Sequence, residues 1–475
     1  MSIGLNVNKK IVVKMIIKSF GAAKNVTGSC HLLIDDKNDI SIMVDCGLFQ
    51  ERDFEDKNYE LGFDPKKLDY LILTHAHIDH CGRIPFLVKN GFKGQILCTK
   101  PTYQLSKILL LDTAKIMFEN YKYELKKTLR GNRKRPKLLY NETDVLNSLD
   151  FFSPVLEYDK PYSLKNGGSG FVAELHDAGH ILGSSFVKIK EGGKSAIFSG
   201  DLGNKGKPIV KDFGYPDEAT IIYTETTYGD RNHKNFQQSK EEFLSVIVDT
   251  LKHNGNVLIP SYATERAQDI LYILREFYEQ GLLPECKVFL DSPLALNVTD
   301  IFIQNFSYFK EDKIPLFKKG DPFDFPYLNM VRDVEESKQI NNVSERAIII
   351  AGSGMLHGGR ILHHLKHNIW KKENAVIFVG YQAKGTLGRL IVEKEKEVNI
   401  LGESLKVNAQ IYTINGFSSH ADQNELMEWI SALKTRPQKV CLVHGDENVM
   451  KIYKNKLEQK GFNIYIPDYG EEITF

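Results

Sequence analysis

Three imidazoles and a carboxylate crowd one short turn in Thr74-His75-Ala76-His77-Ile78-Asp79-His80, directly after the apolar run Leu71-Ile72-Leu73. Imidazole nitrogen and carboxylate oxygen are the preferred ligands of zinc and similar divalent ions. The spacing lets His75 and His77 converge on one ion while Asp79 and His80 turn toward a second. Such a loop keeps its geometry only when it hangs from something rigid, and a buried strand that opens onto it provides that. A satisfied polar turn is the bland alternative, but four ligand-type side chains in six positions exceed what composition would scatter there.

Other apolar runs end in the same way. Asp45 follows Ile42-Met43-Val44, Asp201 follows Ala196-Ile197-Phe198, and His444 follows Val440-Cys441-Leu442-Val443. His180 sits in His176-Asp177-Ala178-Gly179-His180-Ile181-Leu182-Gly183-Ser184. A lone His or Asp after a strand is more often a cap or a turn residue than a ligand. The repeated placement at strand ends is what points to one shared site.

With these residues in view, the chain resembles the metallo-β-lactamase fold. The turn from His75 to His80, the strand-end Asp45 before it, and His180 and Asp201 after it match that family's four motifs. Glu225 in Thr224-Glu225-Thr226-Thr227-Tyr228-Gly229, His420 in Gly416-Phe417-Ser418-Ser419-His420-Ala421-Asp422, and His444 match the three further motifs of its β-CASP branch, whose members process nucleic acids. Arg266-Ala267-Gln268, Asp291-Ser292-Pro293, Ser353-Gly354-Met355 and Gly385-Thr386-Leu387-Gly388-Arg389 fit the same branch. The resemblance runs from about residue 15 to the C-terminus. It implies an α/β protein: a metallo-β-lactamase αββα sandwich with an inserted parallel-sheet α/β β-CASP domain, divided as 15–227, 228–405 for the insertion, and 406–475.

Composition agrees without adding detail. A chain of 475 residues is longer than one core usually serves. Lys and Arg number 62 against 61 Asp and Glu, so any polyanion must be drawn by a local field and not by net charge. The one strong basic cluster lies at 126–137 and reads equally as a solvated loop or as a strand-steering surface. No apolar run is long enough to span a bilayer, and residues 1–18 lack a secretion signal, which makes the expected location cytoplasmic. Residues 1–14 look like an extension without chemistry. The six cysteines stand apart with no Cys-x-x-Cys pair, which argues against disulfides and a zinc ribbon.

Along the chain, short β-branched runs with Gly and Asp turns give a mixed layer structure up to about residue 229, with a helical excursion at 104–119. After that, expected helices at 241–251 and 263–278 alternate with strands at 256–260, 287–290, 347–350 and 375–379. That rhythm describes a parallel sheet of doubly wound type. His420 and His444 then return to the metal logic of the first half, as a domain inserted into another would require.

The resemblance turns the ligands into a dinuclear proposal: His75, His77 and His180 on one ion; Asp79, His80 and His444 on the other; and Asp201 bridging. Asp79 also counts among the catalytic residues. Two divalent ions lower the pKa of a shared water and clamp the attacking and leaving oxygens of an in-line phosphoryl displacement. Zinc suits the imidazole-rich set, with manganese as the alternative. Asp45 is placed as an outer acceptor that orients a ligating imidazole. His420 backed by Glu225 is the acid for the leaving oxygen. Ser353 and Gly354, with Gly358-Gly359-Arg360, follow a strand and precede a helix, a setting for an anion-binding nest. Arg266, Ser292, Arg389 and Ser418 are phosphate partners by resemblance alone. His363, His364 and His367 read as packing or surface residues. The function this implies is a zinc-dependent ribonuclease that leaves 5′-phosphate and 3′-hydroxyl ends on single-stranded RNA. Internal and 5′-exonucleolytic cutting stay open, as does a homodimer. A small-molecule hydrolase needs neither a second domain nor the His420 acid, and a non-catalytic RNA-binding scaffold would not keep every ligand position filled.

Overall fold

The computed structural model describes residues 15–35, 38–129, 135–153, 156–164, 170–380, 382 and 385–475. The N-terminal extension and, from the basic cluster, Arg130, Arg133 and Lys134 lie outside the described residues.

Two seven-stranded sheets pack face to face. The first runs Glu472–Thr474, Met15–Ser19, His31–Asp35, Ile40–Val44, Tyr70–Ile72, Gln95–Leu97, Phe152–Ser153. The second runs Ile464–Tyr465, Lys439–Leu442, Ile221–Thr224, Lys194–Phe198, Ser185–Glu191, Val172–Asp177, Tyr162–Ser163. Side chains alternate across a strand, so each sheet has two apolar faces to bury. Ile17, Leu33, Ile42, Val44 and Ile72 meet Leu175, Val187, Ala196, Phe198 and Tyr223 between the sheets. The alternate set, Leu32, Met43, Leu71 and Ile96, packs outward against Ile84, Leu87, Leu110 and Val145. On the far side Ile197, Ile222, Val440 and Leu442 pack on Leu426, Trp429, Met450 and Tyr453. Helix, sheet, sheet, helix is the expected sandwich.

A third sheet of six strands runs Leu328–Met330, Lys287–Asp291, Ala347–Ala351, Val257–Pro260, Ala375–Phe378, Gln410–Thr413. Every pairing in it is parallel. Its central strands are buried along their whole length, which suits a parallel sheet covered on both faces. Val257, Ile259, Leu290 and Ile350 face Ile247, Ile270 and Phe302, while Leu258, Val376 and Phe378 face Ile361, Leu365 and Ile391. Leu105 and Leu109, from the helix Lys100–Leu129, join the first of these clusters, so the two units share apolar contact.

Two boundaries differ from what periodicity alone indicates. The helix expected at 241–251 starts at Phe236, because the Asn235 side chain caps it by accepting from the backbone N–H groups of Gln237 and Gln238. The strand Gln410–Thr413 joins the third sheet beside Ala375–Phe378, past residue 405 where the sequence ends the insertion. Nothing in a four-residue strand states which sheet it will join. All six cysteines are free and buried. No helix among the described residues is long and apolar enough to cross a membrane.

Candidate metal centre

Strand Tyr70–Ile72 lies between Ile40–Val44 and Gln95–Leu97 and delivers the turn that begins at Thr74. Two further loops brace that turn by backbone hydrogen bonds: from the loop after Ile40–Val44, Cys46 N to the His80 carbonyl at 2.7 Å and Leu48 N to Ile78 at 2.9 Å, and from the loop before His31–Asp35, Ser29 N to Asp79 at 2.9 Å. Gly47 is what lets the loops approach, since a Cβ there would stand 1.6 Å from the Asp79 carbonyl oxygen. Asp45 and His444 leave their strands with φ of 61° and 50°, in the left-handed region that costs a non-glycine residue free energy and turns each side chain out of its strand's path.

Seven side chains then meet in two groups about one carboxylate. His75, His77, His180 and Asp201 form one, and Asp79, His80 and His444 the other. Nδ1 of His77 lies 3.1 Å from Nε2 of both His75 and His180. Asp201 Oδ2 lies 3.4 Å from His75 Nε2 and 3.6 Å from His180 Nε2, while Oδ1 lies 3.2 Å from His80 Nε2 and 3.4 Å from His444 Nε2. Asp79 Oδ2 is 3.5 Å from the same His444 nitrogen. One carboxylate thus turns one oxygen to each group.

Hydrogen bonds behind the rings fix what faces inward. Thr74 donates its hydroxyl proton to Asp45 at 2.8 Å and so accepts from His75 Nδ1, 3.0 Å away. His80 Nδ1 donates to Asp45 Oδ2 at 2.7 Å, and His180 Nδ1 to the Ser419 carbonyl at 3.0 Å. Thr227 Oγ1 donates to the His444 carbonyl and accepts from His444 Nδ1 at 3.0 Å. With Nδ1 donating outward, each of these rings directs Nε2 inward, where a lone pair is offered whenever the ring is neutral. These nitrogens converge with the oxygens of Asp201. His80 Nε2, His444 Nε2 and Asp201 Oδ1 are buried with no hydrogen-bond partner, a costly state that a divalent cation would relieve. The residues therefore fit a metal.

Without a cation, protons fill part of the role. Burial pushes His75 and His77 down to about 4 and holds His180 well below the ordinary imidazole value. Burial also opposes charge on His80 and His444, but carboxylates outweigh it: Asp201 and Asp45 keep His80 well above its usual range, and Asp201 and Asp79 raise His444 to about 9.

Beside the first group, His420 Nδ1 lies 3.4 Å from Glu225 Oε1 and 3.9 Å from Asp201 Oδ2. Glu225 is buried and held by the Leu202 N–H at 2.7 Å. Burial lowers the affinity of His420 for a proton, Glu225 and then Asp201 raise it, and the balance lies above the ordinary value.

The phosphate candidates divide. Arg266 donates to Ser419 Oγ at 3.0 Å, and Ser418 Oγ accepts from the His420 N–H at 3.3 Å, so both touch the site. Arg360 is turned to structural use: its guanidinium pairs with Asp291 at 2.6 Å and donates to the Arg332 carbonyl at 2.7 Å. Arg389 pairs with Glu393 at 2.7 Å, and the Ser292 hydroxyl caps the helix Pro293–Gln304. The Ser353 hydroxyl closes its own loop on Gly358, and Gly354 lies under the Tyr262 ring. His364, read as packing, is buried and bonded to Asp291 and Asn341. Thr74, Thr227 and Ser419, which hold ligand rings, are adjacent or near to motif residues, but no spacing rule singles them out. Lys207, whose ammonium donates to the His180 carbonyl, has no sequence signal at all.

Three family descriptions match the chain in succession: Metallo-beta-lactamase superfamily over residues 25–251, Beta-Casp domain over 267–391, and Zn-dependent metallo-hydrolase RNA specificity domain over 404–467. A protein named ribonuclease TTHA0252 from Thermus thermophilus is 38% identical over 97% of this chain and 100% of its own length. One named transcription termination factor FttA from Methanocaldococcus jannaschii is 32% identical over 94% of this chain and 70% of its own. A crystal structure of a protein of unknown function from Enterococcus faecalis V583 superposes with a TM-score of 0.57 at 12% identity, covering 97% of this chain and 100% of that one, a likeness of fold. Sheets, ligand turns and full-length similarity agree, and the chain belongs to the β-CASP branch of the metallo-β-lactamase superfamily.

Proposed function

We propose that the protein is a metal-dependent ribonuclease that hydrolyses single-stranded RNA and holds two divalent ions, zinc or, as the alternative, manganese. The observation that carries this reading is the set of inward ring nitrogens on both sides of Asp201, with the His420–Glu225 pair beside it. His75, His77 and His180 would hold one ion and Asp79, His80 and His444 the other, with Asp201 shared and Asp45 behind His80. When bound, such ions supply an activated water and neutralise charge on the phosphate. The rest belongs to the chain. Water attacks phosphorus and releases a proton to solvent, the bond to the 3′-oxygen breaks, and that oxygen takes a proton from His420, which solvent then reprotonates. Because Glu225 engages Nδ1, Nε2 is the donating atom. Arg266 and Ser418 lie where they can steady the substrate. The name ribonuclease borne by a relative matched over its whole length supports RNA as the substrate, and a cytoplasmic location is part of this reading. The RNA path in this reading is the cleft between the sandwich and the insertion, 228–405 together with Gln410–Thr413. Every residue invoked lies on one chain, so a homodimer is not required for the reaction.

Incubation of the purified, metal-replete protein with end-labelled single-stranded RNA tests this. Products should carry 5′-phosphate and 3′-hydroxyl ends, and the ladder separates internal cutting from progress along the strand from its 5′ end. Products ending in 2′,3′-cyclic phosphate would mean that the ribose hydroxyl is the nucleophile and would overturn the mechanism.

A further inference from the structure

A buried charged cluster lies at the junction of the two units, and of its members only Arg266 enters the chemistry above. Lys207 and Glu265 approach to 3.4 Å with side chains 2% and 0% exposed. Arg266 and Asp269, both buried, approach to 3.5 Å alongside. Isolated ions are costly in such a place, and a buried pair adds little stability over an apolar one. Where this cluster is attached suggests another use. The Lys207 ammonium donates to the His180 carbonyl. The second oxygen of Glu265 accepts from the Leu182 N–H at 3.1 Å. Arg266 donates to Ser419 Oγ, and the Ser419 carbonyl accepts from His180 Nδ1. Glu265 and Arg266 stand where the inserted unit begins its helix Arg266–Glu279, with Glu265 at a φ of 66° that a non-glycine residue adopts only when its surroundings impose it. The inserted unit therefore reaches His180 from both sides: Glu265 accepts from Leu182 N–H and pairs with the sandwich's Lys207, which holds the His180 carbonyl, and Arg266 donates to the sandwich's Ser419, whose carbonyl holds the ring. On the sandwich side, Thr99 and Thr102 anchor the same loop through the Gly183 carbonyl, each at 2.8 Å.

We propose that Lys207, Glu265 and Arg266 are positioning residues that set His180 for the cation, so that docking of the inserted unit completes the group of His75, His77 and His180. The idea rests on the metal reading above and not on the RNA reading. Among the described residues, the other group, Asp79, His80 and His444, receives no such hydrogen-bonded hold from the inserted unit, and its three side chains all belong to the sandwich.

The test is zinc affinity, read by competition with a chromophoric chelator on full-length protein, for wild type, Lys207→Met and Glu265→Gln. Partners behind metal ligands are typically worth about 10–100-fold in affinity. Each variant should weaken one of the two zinc equivalents by that factor and leave the other unchanged. In a His180→Ala background, Lys207→Met should add nothing. Glu265→Gln keeps volume and an acceptor for Leu182, so it folds if any substitution there does; the paired Lys207→Met, Glu265→Leu replacement supplies an apolar match. Folded variants with wild-type affinity for both equivalents would overturn the proposal, as would equal weakening of both or an undiminished effect of Lys207→Met without His180. Wild type that takes up no zinc would overturn the centre and the proposal together. Wild type that binds two zinc ions with the expected variant effects yet cuts no RNA would overturn only the ribonuclease reading.

Discussion

His80 and His444 must each shed a proton before they can hold a cation, whereas His75, His77 and His180 have none to shed at neutral pH. The two halves of the centre should therefore part company on acidification. A group whose metal-free pKa is raised binds its cation in competition with protons below that pKa, so affinity at Asp79, His80 and His444 falls as pH drops from about 9, on the order of tenfold per unit for each proton displaced. His75 and His77 begin to compete only near 4. Metal analysis after dialysis should find two equivalents at alkaline pH and one at mildly acid pH; simultaneous loss of both would refute the assignment. His420 carries the opposite sign. Glu225 and Asp201 outweigh burial and raise its pKa, which extends the protonated form to higher pH, and its contribution as an acid is lost as pH rises through that raised value. His420→Ala should cost about 10²–10⁴ in turnover, keep both metals, and remove the alkaline fall in rate. A substrate with sulfur at the bridging 3′ position, which leaves without a proton, should restore most of the loss. If metal content falls instead, His420 is a ligand.

At the scale of elements, the centre depends on two loops pressed together. The loop after Ile40–Val44 braces the turn after Tyr70–Ile72 through Gly47. In Gly47→Ala the new methyl would stand 1.6 Å from a backbone oxygen, and neither loop can yield without losing the hydrogen bonds from Cys46 and Leu48. Overpacking against backbone costs about 1–3 kcal/mol or more. The variant should melt lower and bind less than two metals. Gly206→Ala is the control, since its nearest neighbour is the Phe236 Cβ at 3.9 Å; its φ of +77° brings strain but no collision, so it should melt lower and keep both metals. Equal metal loss in both would show that backbone strain, and not loop contact, is responsible.

At the scale of the molecule, the ligands come from both sheets of the sandwich and from both ends of the chain, and a bound cation holds them together. Binding to the folded state alone stabilises by about 4 kcal/mol when free metal exceeds the dissociation constant a thousandfold. Chelation should lower the melting midpoint by several degrees, with hydrogen-exchange protection lost around residues 75–80, 178–184 and 442–445 and kept in Ala347–Ala351; uniform loss would argue that the units unfold as one. The same scale separates what was legible in the sequence from what was not. The turn from His75 to His80 and the strand-end Asp201 stand out as ligand-type residues from local pattern alone, Glu225 only through the family resemblance, and the parallel strands could be read because burial on both faces leaves unbroken apolar runs. The sheet that Gln410–Thr413 joins, the diversion of Arg360 to Asp291 and the hold of Lys207 on His180 depend on partners 35 to 69 or 27 positions away in the chain. Pairings between distant residues leave no periodicity, and only the folded chain, where packing brings an unpaired charge to the one partner that offsets its burial, decides them.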